Sequence, residues 1–370
     1  MITNVDILLY LWVALNICYF VMLFAVYLAL NQLKKPFVSG TAAQISVVIA
    51  ARNEETRIKP CLESLEKLEY PRDKYEIIFI DDQSCDNTAQ LIENYCKKNA
   101  NWRVISLNEK SIELRGKKNA LLHGIAQAKG NIIFTTDADC IVPVKWLRNM
   151  GSYFTQGVSM VLGYSPLLPG RGILFRLLQF DNLFSAISAA APTKLGYPFT
   201  SVGRNLAYRK DAYEDAGGFL SLKRFRSGDD VHLTERFRYL KSGKIDFCAD
   251  PDTFVFTQPP ETREEIFNQQ VRKNSKTLKK AGTSIAFSIV LFLYHVLLIL
   301  LPLLMPTWLK IWLLFIIIKL VLEYINLFKA AIIFKQKEVI PFIPLMQIFY
   351  PAYIIFFSFL GLLEMYSWKR

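Results

Sequence analysis

Asn131-Ile132-Ile133-Phe134-Thr135-Thr136-Asp137-Ala138-Asp139 is the stretch that decides the fold. Its first five residues are a short apolar run, rich in β-branched and aromatic side chains, that reads as a buried strand. Two carboxylates spaced by one residue then emerge at its C-terminal end. In an open α/β sheet that edge is where ligands bind. Two acids on one short turn repel each other unless a cation lies between them. A divalent metal carrying a diphosphate satisfies both.

The flanking sequence alternates strand and helix signals. Residues 45–49, 75–80 and 103–107 read as three further strands. Residues 54–68 read as a helix, as does a segment capped by Asp86-Asn87-Thr88 and running to about Lys98. A third helix spans 117–128 and ends at Gly130. Strands alternating with helices of this length imply an α/β fold with a mostly parallel, doubly wound sheet. Beyond the two acids the signals weaken: 174–191 reads as a helix, 229–241 as a stronger one, and 244–248 as a strand.

The chain has 370 residues, 52% of them hydrophobic, and the apolar excess is localised. Residues 7–30 carry no charge and are long enough to cross a bilayer, which needs roughly 20 apolar residues. No basic segment precedes them and no small-residue cleavage site follows, so they read as an uncleaved anchor rather than a signal peptide. Further apolar blocks run over 284–304, 308–328 and 339–363. The expected domains are therefore an anchor at 1–33, a cytosolic domain at 34–282 and a transmembrane bundle of about three helices at 283–370. Lys319 and Glu323 lie within the third block, four residues apart on one helix face, where they can neutralise each other.

Basic residues near span ends set orientation. Lys34, Lys35, Arg272, Lys273, Lys276, Lys279, Lys280, Lys329, Lys335 and Lys337 fall on one side. Lys310 and Lys369-Arg370 fall on the other. The large domain is expected to face the cytoplasm, in the inner (cell) membrane. The net charge of +12 suits contact with anionic membrane lipids and a phosphorylated substrate. No nucleic-acid-binding motif accompanies it. The six cysteines form no C-x-x-C pair and no zinc spacing, and read as free thiols in a reducing compartment.

Four other groups suit a nucleotide-diphosphate sugar. Asp81-Asp82 follow the second strand, where a carboxylate can accept from a nucleobase N–H. Gly116-Lys117-Lys118 opens a helix whose N-terminus favours anions. Gly228-Asp229-Asp230-Val231-His232 places two acids at another helix start, where an Asp also serves as a cap. Gln269-Gln270-Val271-Arg272 precedes the membrane cluster.

Taken in order with 47–54, 80–88, 203–208 and 227–234, these segments resemble the membrane-integrated family-2 glycosyltransferases of GT-A fold. That group includes hyaluronan, chitin and cellulose synthases and the ceramide glucosyltransferases. The resemblance covers roughly residues 45 to 275 and implies a hexosyltransferase of cell envelope biogenesis. It implies that Ala50, Asn53, Glu54 and Asp82 line the nucleotide pocket, with Asp82 on the base. Lys117 would lie near the nucleotide, Asp137 near the ribose or sugar, and Asp139 would hold Mg²⁺ or Mn²⁺ on the diphosphate. Asp230 would be the general base, with Asp229 as the alternative. Gln269 and Arg272 would close over the diphosphate.

One departure stands out. The family pattern reads Q-x-x-R-W, and here Arg272 is followed by Lys273. Lysine offers no aromatic face for an acceptor sugar, unless Trp146 or Tyr208 supplies one. Transfer of one sugar to a lipid or lipid-linked acceptor is the leading expectation. A processive synthase that exports its glycan is the alternative. A catalytically inactive membrane scaffold is the alternative of another class, and the intact acids argue against it.

Overall fold

The computed structural model describes residues 4–33, 42–107, 114, 116–225, 228–275, 283–363 and 365. The basic residues Lys34, Lys35, Lys276, Lys279, Lys280, Lys369 and Arg370, on which the orientation partly rests, lie outside the described residues, as does Ser227 of the acidic motif. The chain forms two compact units. One gathers residues from 32–170 and 188–259; the other gathers residues from 1–31, 171–187 and 260–370.

The first unit is α/β. Its strands are β1 (Ile45–Ala51), β2 (Tyr75–Asp81), β3 (Trp102–Ser106), β4 (Ile132–Asp137), β5 (Cys140–Ile141), β6 (Val158–Gly163), β7 (Leu206–Arg209), β8 (Lys244–Cys248) and β9 (Phe256–Thr257). Seven of them build one sheet in the order β3-β2-β1-β4-β7-β6-β8, and β5 pairs with β9. β1 is parallel to β2 and β4, β2 to β3, and β6 to β8. Only β7 departs, lying antiparallel between β4 and β6. β1 and β2 are buried on both faces, as Val/Ile-rich parallel strands covered by helices must be. Ile58, Leu62 and Leu65 of the helix Ile58–Glu66 and Trp146 cover one face, against Val47, Ile49, Phe79 and Phe134. On the opposite face Gly124, in the helix Lys117–Ala126, lies directly against Val48 and Ile80.

The register sets the working edge. Ala51 pairs with Asp81, and Ala50 pairs with both Ile80 and Asp137. The strand-end acids therefore sit at one height across three neighbouring strands. The opposite edge is tied by Glu76. Its carboxylate accepts from Ser46 Oγ (2.6 Å), from the Lys129 amide (2.6 Å) and from Arg103 (2.6 Å).

Two local expectations shift. The helix expected over 54–68 starts only at Ile58. The Glu54 amide donates to Thr88 Oγ1 and the Glu55 amide to Asp86 Oδ2, so the next loop satisfies amides that a helix start leaves unpaired and ties residues 54–57 into a turn. Gly130 does not terminate its helix, which ends at Ala126. Its function is close approach: a Cβ there would sit 2.5 Å from the backbone of Ile45 and Ser46.

The second unit is helical. Among the described residues three helices are long and apolar enough to cross a membrane: Ile7–Asn31, Pro306–Ile333 and Lys337–Leu362. A fourth apolar helix, Thr283–Leu304, completes the anchor-plus-three layout. Trp12, Tyr19 and Leu23 pack with Tyr294, Leu298 and Leu301, and the Tyr19 and Tyr294 rings stack at 4.4 Å. The Lys319–Glu323 pair forms, at 2.8 Å. Tyr19 (2.5 Å) and Gln347 (3.2 Å) also donate to the Glu323 carboxylate, so three helices share one satisfied acid. A charge inside an apolar bundle is tolerable only with such partners.

Gly130→Ala tests the framework. The clash falls on strand backbone that has no rotamer to yield, so the cost should be about 1–3 kcal/mol or more. Thermal unfolding of the purified chain should show a clearly lower Tm, and an unchanged Tm would contradict the close approach.

Candidate active site

The site forms where two loops and two helix starts converge on the sheet edge. Residues 52–57 and 82–87 are stitched together. The Asn53 amide donates to Ser84 Oγ (3.1 Å), and Asn53 Oδ1 accepts from the Cys85 amide (2.8 Å). Asn53 (φ 53°) and Gln83 (φ 61°) both adopt the left-handed conformation that this turn requires. Asp86 locks the seam. Enclosure works to raise its pKa, but hydrogen bonds from Thr88 and Glu55 outweigh that and hold it below the usual carboxylate range. Asn53 and Glu54 thus fix the shape of the two loops at the sheet edge. Asp81 is buried and accepts from the Ser84 amide, which leaves Asp82 as the half-buried acid, 4.0 Å from an exposed Arg52.

Asp137, Asp139 and Cys140 bring ligand atoms within 4.8 Å of one another. Burial is the largest influence raising the Asp139 pKa, the Asp137 charge adds to it, and Arg204, Cys140 and Lys117 only partly offset them. Burial and the same two acids push the Cys140 thiol well up, so it stays protonated and donates to Asp139 Oδ1 (3.5 Å). The donor set is therefore two carboxylates beside a neutral thiol. Oxygen donors that repel each other fit Mg²⁺ or Mn²⁺ and disfavour a soft, thiolate-bound ion.

Lys117 ion-pairs with Asp137. Enclosure works to lower its pKa, but Asp137, Asp230 and Asp229 outweigh that and raise it, so the ammonium stays charged beside all three acids. The neighbouring Lys118 is buried, donates to the Leu222 carbonyl (3.2 Å) and lies 3.6 Å from Asp229. Two successive residues of one helix start thus serve the two sides of the site. Asp229 and Asp230 begin the helix Asp229–Leu240. Asp230 Oδ2 accepts from the Gly203 amide at 2.8 Å, and Gly203 O accepts from Thr135 Oγ1 at 2.9 Å. The turn before β7 therefore ties the Asp230 carboxylate to the strand that carries the metal-type acids.

Ala50, Asn53, Glu54, Asp82, Lys117, Asp137, Asp139, Asp229 and Asp230 all belong to the α/β unit. Gln269 and Arg272 lie on the helix Arg263–Ser275 of the helical unit. There Lys273 Nζ pairs with the buried Asp181 (2.6 Å) and donates to Ser185 Oγ (2.6 Å), while Tyr350 donates to the other Asp181 oxygen (2.9 Å). Trp146 and Tyr208 are fully buried at 0% exposure, so neither offers a face to an acceptor. Trp146 donates instead to Asn205 Oδ1 (3.0 Å) in the core. Arg204, quoted in the sequence motif without a role, proves to lie close enough to Asp139 to act on its charge.

Residues 46–216 match the family model Glycosyl transferase family 2, and the chain carries a domain of that family. Among curated proteins it is 28% identical over 205 residues to Glycosyltransferase AglE of Haloferax volcanii, covering 54% of this chain and 62% of that one. It is 32% identical over 124 residues to the Beta-monoglucosyldiacylglycerol synthase of Synechocystis, covering 32% and 26%. It is 37% identical over 246 residues to a Poly-beta-1,6-N-acetyl-D-glucosamine synthase of Staphylococcus aureus, covering 65% and 56%. The chain thus spans less than two thirds of the length of these relatives. Among solved structures it superposes on the mannosyltransferase PcManGT from Pyrobaculum calidifontis, in complex with GDP-Man and Mn²⁺. The TM-score is 0.60, with 19% identity and 95% of each chain covered, a likeness of fold.

The raised Asp139 pKa makes a signed prediction. Without metal, the stability that a protonated Asp139 contributes is lost as pH rises through its folded-state pKa. Asp139→Asn is neutral at every pH and escapes that loss. In chelator at neutral pH the variant should melt above the wild-type chain, and the gap should close as pH falls toward the carboxylate range. A variant that melts lower at neutral pH would contradict the repulsion.

Proposed function

We propose that the chain is a membrane-integrated, inverting glycosyltransferase that moves one sugar from a nucleotide-diphosphate donor to a lipid or lipid-linked acceptor. The observation that supports this most is the convergence of Asp137, Asp139 and Lys117 with Asp230 at one sheet edge. Attack on an anomeric carbon needs a base on one face and charge stabilisation of the leaving diphosphate on the other.

In this reading Asp139, with Asp137, holds Mg²⁺ or Mn²⁺, which supplies Lewis-acid stabilisation of the diphosphate when bound. Lys117 adds a positive charge beside it. Asp82 accepts from the nucleobase, with Ala50, Asn53 and Glu54 forming the pocket wall. Asp230, steadied by the Gly203 amide, takes the proton of the acceptor hydroxyl. Asp229, paired with Lys118, holds that helix start in place. One displacement inverts the anomeric centre. For Gln269 and Arg272 the proposal keeps the leaving-group role that the family resemblance implies.

A UDP-sugar is the default donor by that resemblance. Single transfer is favoured over polymerisation because Lys273 stands where polymer synthases carry tryptophan, and its ammonium is engaged by Asp181 and Ser185. The diacylglycerol-linked product named for one relative points the same way, and the polymer named for another keeps the processive reading in view. In this reading the K/R-rich side of the spans faces the cytoplasm at the cell membrane, together with the catalytic domain.

Asp230→Asn keeps the shape and an oxygen that can accept from the Gly203 amide, but takes no proton. General-base catalysis contributes about 10²–10⁴-fold, so transfer should fall by that order with donor affinity little changed. A near-normal rate would reduce Asp230 to an anchor for the Gly203 turn.

Purified chain given labelled donor and a lipid extract should yield a product bearing one sugar or very few, read by mass spectrometry. A ladder of long chains would restore the polymer synthase.

A further inference from the structure

The glycosyltransferase reading leaves Arg204 without a role, and its surroundings suggest one. The β4–β7 pairing ends where Thr135 faces Leu206, and Arg204 lies in the turn just before that point. Its neighbour Gly203 is held on both sides, by Thr135 Oγ1 at its carbonyl and by Asp230 Oδ2 at its amide. Arg204 therefore projects from the one short turn that links the metal-type acids to the proposed base.

The guanidinium is oriented but not consumed. Nε donates to Ser165 Oγ at 2.8 Å, and Ser165 Oγ in turn donates to the Val255 carbonyl. Ser165 is buried at 1% exposure, so this is a fixed anchor. Among the described residues no hydrogen bond runs from the terminal nitrogens of Arg204. Its charge acts on Asp139 and on Tyr164, yet no ion pair with Asp139 forms within 4.0 Å among the described residues. A guanidinium fixed through Nε presents its two terminal N–H groups as a planar fork, the geometry that takes two oxygens of one phosphate.

We propose that Arg204 is a phosphate-binding residue of this site, its fork set by Ser165 and aimed at an oxyanion that lies between Asp139 and Asp230. The phosphate comes either from the donor's diphosphate or from a phosphate-bearing lipid acceptor. The proposal rests on the functional reading above.

Binding to the full-length chain in detergent separates the sources without relying on turnover. The probes are Mn²⁺-pyrophosphate and a polyisoprenyl phosphate, titrated by calorimetry against wild type, Arg204→Gln, Arg204→Lys and Ser165→Ala. Charge-assisted hydrogen bonds of this kind correspond to affinity losses of about 10- to 100-fold. Arg204→Gln should lose that much for one probe, Arg204→Lys should fall between it and wild type, and Ser165→Ala should lose roughly 2- to 10-fold for the same probe. Loss confined to Mn²⁺-pyrophosphate assigns Arg204 to the donor, and loss confined to the polyisoprenyl phosphate assigns it to the acceptor. If Arg204→Gln fails to fold, the graded losses in Arg204→Lys and Ser165→Ala make the same assignment. Equal affinity of all variants for both probes overturns the assignment while leaving the functional reading intact. A wild-type chain that binds neither probe overturns the functional reading itself, and this inference with it.

Discussion

Two carboxylates that cannot both be comfortable as anions govern this molecule. Asp137 ends a buried strand and Asp139 follows two positions later, and the turn between them keeps their ligand atoms within 4.8 Å. Burial removes the water that would screen them, and the Asp139 pKa rises as a result. The fold answers with cations at set places. Lys117 pairs with Asp137, Arg204 works on Asp139 from the neighbouring turn, and the Cys140 thiol donates to it. These partners moderate the repulsion without removing it. The divalent cation and diphosphate of the proposed function would balance these unbalanced, hard oxygen donors at the sheet edge.

Such a poised arrangement needs a frame that does not yield, and it has one at each end of the sheet. Glu76 fastens β1, β2, β3 and the segment before β4 at the far edge, with Gly130 allowing the backbone to approach. At the working edge the loops after β1 and β2 hold each other through Asn53, Ser84 and Thr88. The helical unit uses the same logic for a different solvent. Its acids, Glu323 and Asp181, are each satisfied by donors from separate helices. Lys273 belongs to that scheme. Its ammonium is spent on anchoring its own helix to Asp181 and Ser185.

Much of this was legible because burial writes itself into composition. β1 is a Val/Ile run, β2 and β4 are Ile/Phe-rich runs that end in Asp, and the spans are long and strongly apolar, so composition and length sufficed. β8 fell on the expected residues for the same reason. β6 and β7 were missed as strands. Val158–Gly163 is buried at all six positions and carries no alternation, and Leu206–Arg209 is only four residues long. That miss had a consequence. Arg204 owes its place to the turn that leads into β7, held by Thr135 and Asp230, and no local pattern announces those long-range contacts. Trp146 and Tyr208 show the converse limit. Sequence identifies an aromatic ring as a stacking surface or a core filler with equal ease, and only packing decided that both lie in the core.

The central claim is that the β4 edge holds a nucleotide-diphosphate sugar through a divalent cation. Calorimetric titration of the full-length chain with a panel of nucleotide sugars, in Mn²⁺ and again in excess chelator, tests it most directly. The account predicts one-to-one binding of at least one member in Mn²⁺, abolished by chelator and by Asp139→Ala in a chain that remains folded. Equal binding in chelator, or no binding by any member of the panel, would contradict it.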